Sequence, residues 1–337
     1  MQKRSLAARS PGTAGLDNLP AWQVPFKLRR PKRACWSTSF TTERRIAHSP
    51  MRNHRQVINH PILCVIGNGP GSVPPGAGSY PCVTFNQATL APLSEGGFQV
   101  ANRRIARRTS KAESYYISSS QFTLACCATL QRALHQAAAE LEAQLGCLPT
   151  TGFATTWALF RLGVPQHLYR MPLRPNLFRP AELSRHTPLP AAFHNWLGER
   201  RLAWQHLHLS PVILSWQQLP FSSVTAAIAQ CDTEIKNPCR AVAAWFESNA
   251  GTPNLQAAED LRRLASLPLG AWIRSADTTQ LQLIESFFFL GRESGETPNW
   301  WLYNNELSPS INHLLLRLMQ AQQWAHLSRM GSVTKLL

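Results

Sequence analysis

The sequence predicts an α/β fold built on a parallel β-sheet, and two observations lead to this prediction. Short apolar segments at 62–66 and 81–85, rich in β-branched residues, each run directly into a turn, as buried parallel strands do. A segment with helical spacing of leucines follows at 123–145. With 337 residues, of which 44% are hydrophobic, the chain is able to bury a sizeable core.

The N-terminal segment differs from the rest in charge. Residues 1–60 contain twelve Lys and Arg but only Asp17 and Glu43, so they supply +10 of the formal net charge of +16. Prolines interrupt every candidate helix in this segment. We therefore predict that residues 1–59 form a disordered basic tail.

Three roles are open for this tail. It has the composition of an organelle transit peptide, of an arm that contacts nucleic acid or another anionic surface, and of a passive extension before a true start at Met51. We favour the passive extension, because nothing aromatic or repeated organises the charges.

Other features bear on the compartment. No run of about 18 apolar residues occurs, so we expect no transmembrane segment. The start lacks the apolar region of a signal peptide. Eight cysteines without any CxxC pair fit a reducing compartment better than a disulfide framework or a zinc ribbon. We therefore expect a cytoplasmic protein.

The first strand ends in a glycine-rich turn, with the sequence GNGPGS at 67–72. In parallel sheets, ligands bind outside the carboxyl ends of the strands, and glycines there let backbone N–H groups approach a phosphate. A dinucleotide site fits poorly, because Ser72 replaces the third glycine and the first downstream acid is Glu95. A tight turn without any ligand stays open as an alternative.

The second strand, at 81–85, ends in Asn86 and Gln87. Asn68 and Asn86 thus follow two successive strands, and both amides could point into one crevice. An asparagine side chain donates and accepts hydrogen bonds, which suits a phosphate-sugar ligand. The alternative is that each asparagine only caps its own turn.

A second turn follows the helix at 123–145. Thr150, Thr151 and Gly152 precede an apolar helix that ends near Gly163, and a strand is predicted at 166–171. Hydroxyls and free amides at a helix start form an anion site. A simple N-cap by Thr150 or Thr151 accounts for the same residues equally well.

His194 and Glu199 form an HX4E pattern. Histidine titrates near neutral pH, so it is able to accept a proton from a hydroxyl nucleophile. A neighbouring carboxylate could orient the ring or favour its protonated form. The alternative is an ordinary histidine on a half-buried helix.

Taken in order, these motifs resemble those of sialyltransferases. Animal-type sialyltransferases carry a long motif around GNG with a following Asn, a short motif beginning near P-S/T-T-G, and the HX4E motif. A second, bacterial family carries GNGPS and an N-Q pair. The chain shows GNGP, FNQ, PTTG and HNWLGE between residues 61 and 200, and it is most similar to small bacterial relatives of the animal-type family.

This resemblance implies a fold, a reaction and a set of site residues. It implies a Rossmann-like, variant GT-A type catalytic domain, which we place at 60–214, and the sequence pattern beyond it predicts a mainly helical domain at 215–337. The reaction would be inverting transfer of sialic acid to a glycan hydroxyl, with His194 as the general base and Glu199 supporting that region. The donor, CMP-sialic acid, would be held by Asn68, Gly69, Asn86, Thr150, Thr151 and Gly152.

The resemblance also bears on cofactors and partners. We expect no cofactor and no metal ion, since the chain has only four aspartates and no Asp-x-Asp motif. The partners would be the nucleotide-sugar donor and a glycan acceptor. Two alternatives remain open: a catalytically inactive nucleotide-sugar-binding protein of the same fold, and a nucleic-acid-binding protein that uses the tail and the basic cluster at 103–111.

The C-terminal third is predicted to be helical from about residue 215. Residues 254–267 place leucines on one stripe, and Ser308-Pro309 is a typical helix start. The aromatic segments at 287–289 and 300–301 could line an acceptor groove, although packing in the core is the simpler explanation.

Overall fold

The computed structural model describes most of the chain from residue 62 to residue 329. The described residues are 62–86, 97–103, 114–118, 124–179, 182–183, 189–220, 235–249, 254–289 and 304–329. The predicted tail at 1–59, Gln87, the tryptophans at 300–301 and most of the basic cluster at 103–111 lie outside them.

Strands from both halves of the chain form one sheet. They are β1 (Leu63–Ile66), β2 (Cys82–Phe85), β3 (Phe98–Arg103), β4 (Ser114–Ser118), β5 (Gln166–Tyr169) and β6 (Ile213–Trp216). Their order is β4-β3-β2-β1-β5-β6, and every neighbouring pair is parallel except β3 with β4. The predicted α/β fold with a mostly parallel sheet is thus confirmed, and the sheet is compatible with a Rossmann-like arrangement.

Helices follow the strands and fill the C-terminal part. The first three are α1 (Leu124–Leu145), α2 (Thr151–Arg161) and α3 (Trp196–Leu202), which continues into a π-helical turn at Ala203–Leu207. The others are α4 (Pro238–Ser248), α5 (Leu255–Ser266), α6 (Leu269–Arg274), α7 (Thr278–Ile284) and α8 (Ser308–Arg329). Short 3-10 turns lie at Pro75–Ser79, Pro190–Phe193 and Glu285–Phe288.

The alternation of side chains along β1 explains how the sheet is buried on both faces. Leu63 and Val65 point to the face covered by α1 and α2, whereas Cys64 and Ile66 point to the other face, where they meet Ala77. Successive residues of a strand face opposite sides, so a wholly apolar strand indicates a sheet covered on both sides.

Two large hydrophobic clusters organise the interior. One lies between the sheet and helices α1 and α2, and the other joins α4 to α8. Helix α3 contributes to both, since Leu197 belongs to the helical cluster and Leu202 to the sheet cluster. Phe288 is buried in the helical cluster, so this part of the aromatic segment at 287–289 serves packing.

Residues 57–337 form one compact unit. The domain boundary predicted at 214 stays a prediction, and the helical part begins only after β6 ends at Trp216. None of the helices described is long and apolar enough to cross a membrane.

Candidate functional site

A pocket of about 460 Å³ lies at the carboxyl ends of β1, β2 and β5. Strand order reverses at β1, with β2 and β3 on one side and β5 and β6 on the other. This is the switch point at which open parallel sheets bind their ligands. Seven of the eight predicted site residues line the pocket: Asn68, Gly69, Asn86, Thr150, Thr151, Gly152 and His194. Glu199 is the exception, and it lies behind Thr150.

The glycine turn after β1 packs tightly against Arg170, the residue that follows β5. Gly69 N–H donates to the Arg170 carbonyl at 3.0 Å, and Arg170 Nε donates to the Gly69 carbonyl at 2.9 Å. A Cβ on Gly67 or Gly69 would lie 2.5 or 2.7 Å from the Arg170 oxygen. The glycines are therefore required by close backbone approach, whether or not a ligand is bound.

The two asparagines differ in how much of their side chain is engaged. Asn68 is exposed, and its side chain makes no hydrogen bond to any residue that the structure describes. Asn86 accepts a hydrogen bond from the Asn102 N–H to its Oδ1 at 3.3 Å, so its amide is partly used by the neighbouring strand β3.

Backbone strain concentrates around the pocket. Within the described residues, the non-glycine residues with positive φ are Asn86 (56°), Arg170 (52°) and Leu173 (48°), and each of them lines the pocket. Such conformations cost free energy and are found mainly where function or close packing requires them. This clustering singles out the pocket independently of the sequence motifs.

Thr150 caps α2 and connects two motifs that are 49 residues apart. Its Oγ1 accepts from the Phe153 N–H at 3.2 Å, as an N-cap side chain does. Its own N–H and hydroxyl donate to the two carboxyl oxygens of Glu199, at 2.6 and 2.9 Å. The hydroxyl of Thr150 is engaged, and the backbone N–H groups of Thr151 and Gly152 have no hydrogen-bond partner among the residues that the structure describes. They are therefore the available donors at this helix start.

Glu199 is fully buried, and burial raises the pKa of its carboxyl group to about 8, although the hydrogen bonds from Thr150 oppose the shift. The group is therefore mainly protonated at neutral pH. It supports the start of α2 rather than the histidine ring.

The ring of His194 is oriented by the backbone. Its Nδ1 lies 3.0 Å from the carbonyl oxygen of Leu148, and a carbonyl only accepts hydrogen bonds. Nδ1 therefore carries the hydrogen, and Nε2 is the acceptor of the neutral ring. The ring also packs edge-on against Trp196, with a centroid distance of 5.9 Å. The carboxyl group of Glu199 binds Thr150, so it is not the group that orients the His194 ring.

Buried hydrogen bonds of Asn195 and Arg200 hold the segment around His194 in place on the side away from the pocket. Asn195 Oδ1 accepts from the Gly198 N–H at 2.8 Å, which caps α3, and Nδ2 donates to the Leu145 carbonyl at 3.1 Å. The buried Arg200 donates to the Pro172 carbonyl and to Gln323. Burial lowers the pKa of Arg200 to about 9, and the nearby charge of Arg174 adds to the effect.

Two charged residues of the pocket, Arg170 and Arg174, were not predicted from the sequence. Arg170 follows β5 just as Gly67 follows β1 and Asn86 follows β2, so the same strand-end argument would have found it. Among the described residues, no aspartate or glutamate lines the pocket, so Arg170 and Arg174 make the charge of this lining positive. The arrangement suits an anionic ligand.

The sequence also predicts that the protein works without a metal ion. Among the described residues, no group of three or more His, Cys, Asp or Glu side chains is placed to hold a metal ion. The expectation of a metal-independent protein stays a prediction.

The chain matches no protein-family model, and no curated protein or solved structure is significantly similar to it. A function for the protein is therefore inferred from the pocket and its residues.

Proposed function

We propose that the protein is a glycosyltransferase of the sialyltransferase type, with a variant GT-A type fold. It transfers sialic acid from CMP-sialic acid to a glycan hydroxyl with inversion at the anomeric carbon. One observation carries the proposal: the acceptor-competent ring of His194 lines the same pocket as Asn68, Asn86 and the start of α2.

The chemistry follows from this arrangement. Nε2 of His194 takes the proton of the acceptor hydroxyl while its oxygen bonds to the anomeric carbon. The bond from that carbon to the phosphate oxygen breaks, and its electron pair leaves with cytidine monophosphate. Positive charge develops on the sugar ring in an oxocarbenium-like transition state, as in other glycosyl transfers.

The donor would lie between the strand ends and the start of α2. The free N–H groups of Thr151 and Gly152 and the positive end of the α2 dipole suit an anionic nucleotide. A volume of about 460 Å³ is within the range of small-molecule sites. The pocket's own cations offset the charge of a nucleoside monophosphate, so the proposal needs no metal ion.

We also propose a cytoplasmic location. Among the described side chains, Cys64, Cys82, Cys127, Cys147 and Cys239 form no disulfide bond. Cysteines without disulfide bonds support a reducing compartment.

Transfer assays with His194→Ala test the proposal. We expect a loss of about 10²-fold or more in transfer rate, with an unchanged melting temperature and retained CMP binding. His313→Ala, which removes an exposed histidine on α8, is the matched control and should transfer normally. Full activity of His194→Ala would contradict the mechanism, and absence of transfer in the wild type would favour the inactive, binding-only alternative.

A further inference from the structure

Arg170 is held in place more firmly than an ordinary surface arginine. Its Nε donates to the Gly69 carbonyl, and its own carbonyl accepts from the Gly69 N–H. Both the backbone and the side chain of Arg170 are therefore hydrogen-bonded to the glycine turn. The residue keeps a φ of 52°, an unfavourable value for arginine, while it lines the pocket.

The two terminal nitrogens of this guanidinium are available to bind a ligand. Within the part of the chain that the structure describes, neither Nη1 nor Nη2 of Arg170 has a hydrogen-bond partner, and the pocket lining contains no carboxylate. Arg170 is half-buried, so an anion bound there would be held by charge-assisted hydrogen bonds away from bulk water. The planar guanidinium suits the oxygens of a phosphate.

Arg174 also lines the pocket, but it is exposed and no hydrogen bond to a described residue fixes its side chain. Arg174 adds positive charge to the pocket, but the orientation of its side chain is not fixed. Arg170 is therefore the better candidate for a specific contact.

We infer that Arg170 binds the phosphate of the nucleotide donor and stabilises the charge that this phosphate acquires in the reaction. The inference rests on the proposed function and deepens it. As the acceptor oxygen bonds to the anomeric carbon, the bond between that carbon and the phosphate oxygen breaks. The electron pair stays on the phosphate oxygen, next to Arg170, and the acceptor proton goes to His194. Arg170 is then a catalytic residue, since it contacts the leaving group.

The test compares nucleotide binding in two variants, Arg170→Gln and Arg170→Asn. Both remove the charge, and asparagine tolerates the positive φ at this position better than most residues. Arg132→Gln removes one exposed charge on α1, outside the pocket, and serves as the control. Calorimetric titrations use cytidine monophosphate and cytidine, which differ only in the phosphate.

We expect Arg170→Gln and Arg170→Asn to bind cytidine monophosphate at least about tenfold more weakly than the wild type, and cytidine with unchanged affinity. Turnover of CMP-sialic acid should fall by about 10²-fold in kcat, as when a donor to a developing anion is removed. Arg132→Gln should bind and turn over like the wild type. The melting temperature of each variant shows that it is folded, and the asparagine variant decides the matter if the glutamine variant unfolds.

The outcomes separate this inference from the proposed function. Unchanged affinity of both Arg170 variants for cytidine monophosphate would overturn the role of Arg170 and leave the proposed function standing. Wild-type protein that prefers uridine or adenosine monophosphate would overturn the donor assignment, and the same variants titrated with that nucleotide would still decide the role of Arg170. Failure of the wild type to bind any of the three nucleotides would overturn both.

Discussion

Burial of the Glu199 carboxyl group couples its protonation to folding. Its pKa is about 8 in the native protein, against an ordinary value of 4.5. Between these two pH values the native state holds a proton that the unfolded chain has released. The stability contributed by protonation is therefore complete below pH 4.5 and is lost as the pH rises through 8. Each pKa unit is worth about 1.4 kcal/mol.

Glu199→Gln should remove this pH dependence. Glutamine keeps the carbonyl oxygen that accepts from the Thr150 N–H, and its neutral amide replaces the protonated carboxyl. We expect the wild type to lose stability from pH 5 to pH 8 relative to the variant, and the variant to be at least as stable at pH 8. Urea denaturation at several pH values measures the difference. Identical pH profiles for the two proteins would show that Glu199 is ionised throughout.

Sequence reasoning brings together residues that do line one pocket, but it does not reveal their contacts. Thr150 and Glu199 belong to two motifs, and the hydrogen bonds between them join positions 49 residues apart. Nothing local in either motif indicates this pairing. Arg170 differs, because its place after β5 is a signal that the sequence does carry. Its contact with the facing glycine turn, by contrast, is visible only in the structure.

Among the elements, the glycine turn after β1 is the one most constrained by packing. A Cβ on Gly69 would lie 2.7 Å from the Arg170 oxygen and 2.9 Å from Pro172 Cδ. Neither neighbour is the end of a flexible side chain. We expect Gly69→Ala to displace the turn, to destabilise the protein by about 1–3 kcal/mol and to weaken nucleotide binding.

Gly76→Ala is the matched control for this prediction. Gly76 lies in the 3-10 turn that follows, and a Cβ there would meet nothing within 4 Å. The free energy of unfolding of the Gly76→Ala variant should stay within about 0.5 kcal/mol of the wild-type value. Thermal unfolding and nucleotide titration of both variants provide the comparison. A Gly69→Ala protein as stable and as tight-binding as Gly76→Ala would mean that the turn has room to relax.

The elements that the sequence predicted are those with a strong local pattern. Strands β1, β2 and β5 and helices α1, α2, α5 and α8 lie within a few residues of their predicted positions. Strands β3, β4 and β6 were missed. β4 has the sequence SYYIS at one edge of the sheet, and β6 has ILSW, partly exposed, at the other. Edge strands are only partly covered, so they lack the apolar run that marks a buried strand.

Over the whole molecule, Glu285 joins the histidine segment to the C-terminal helices. Its carboxylate accepts from Arg201 Nε at 2.7 Å and from Asn195 Nδ2 at 3.3 Å. Asn195 in turn donates to the carbonyl of Leu145, at the end of α1. The position of His194, the residue before Asn195, therefore depends on packing in both hydrophobic clusters. This dependence is a property of the tertiary structure, which neither the HX4E motif nor the helical pattern of residues 254–267 reveals.

Glu285→Ala removes the carboxylate that accepts from Arg201 and Asn195, and it should leave both of these largely buried side chains without that partner. In the ion pair, the side chains of Arg201 and Glu285 are only 14% and 5% exposed. The expected destabilisation is therefore about 3 kcal/mol, typical of a broken buried pair. Glu259→Ala breaks the exposed pair with Arg262, 68% and 49% exposed, and should cost less than about 1 kcal/mol. Urea denaturation measures the stability of both variants.

Because Asn195 also loses a partner in Glu285→Ala, the rate of transfer by this variant should fall under conditions where it is folded. Normal transfer by the folded variant would mean that the bond from Asn195 to Leu145 alone holds His194 in position.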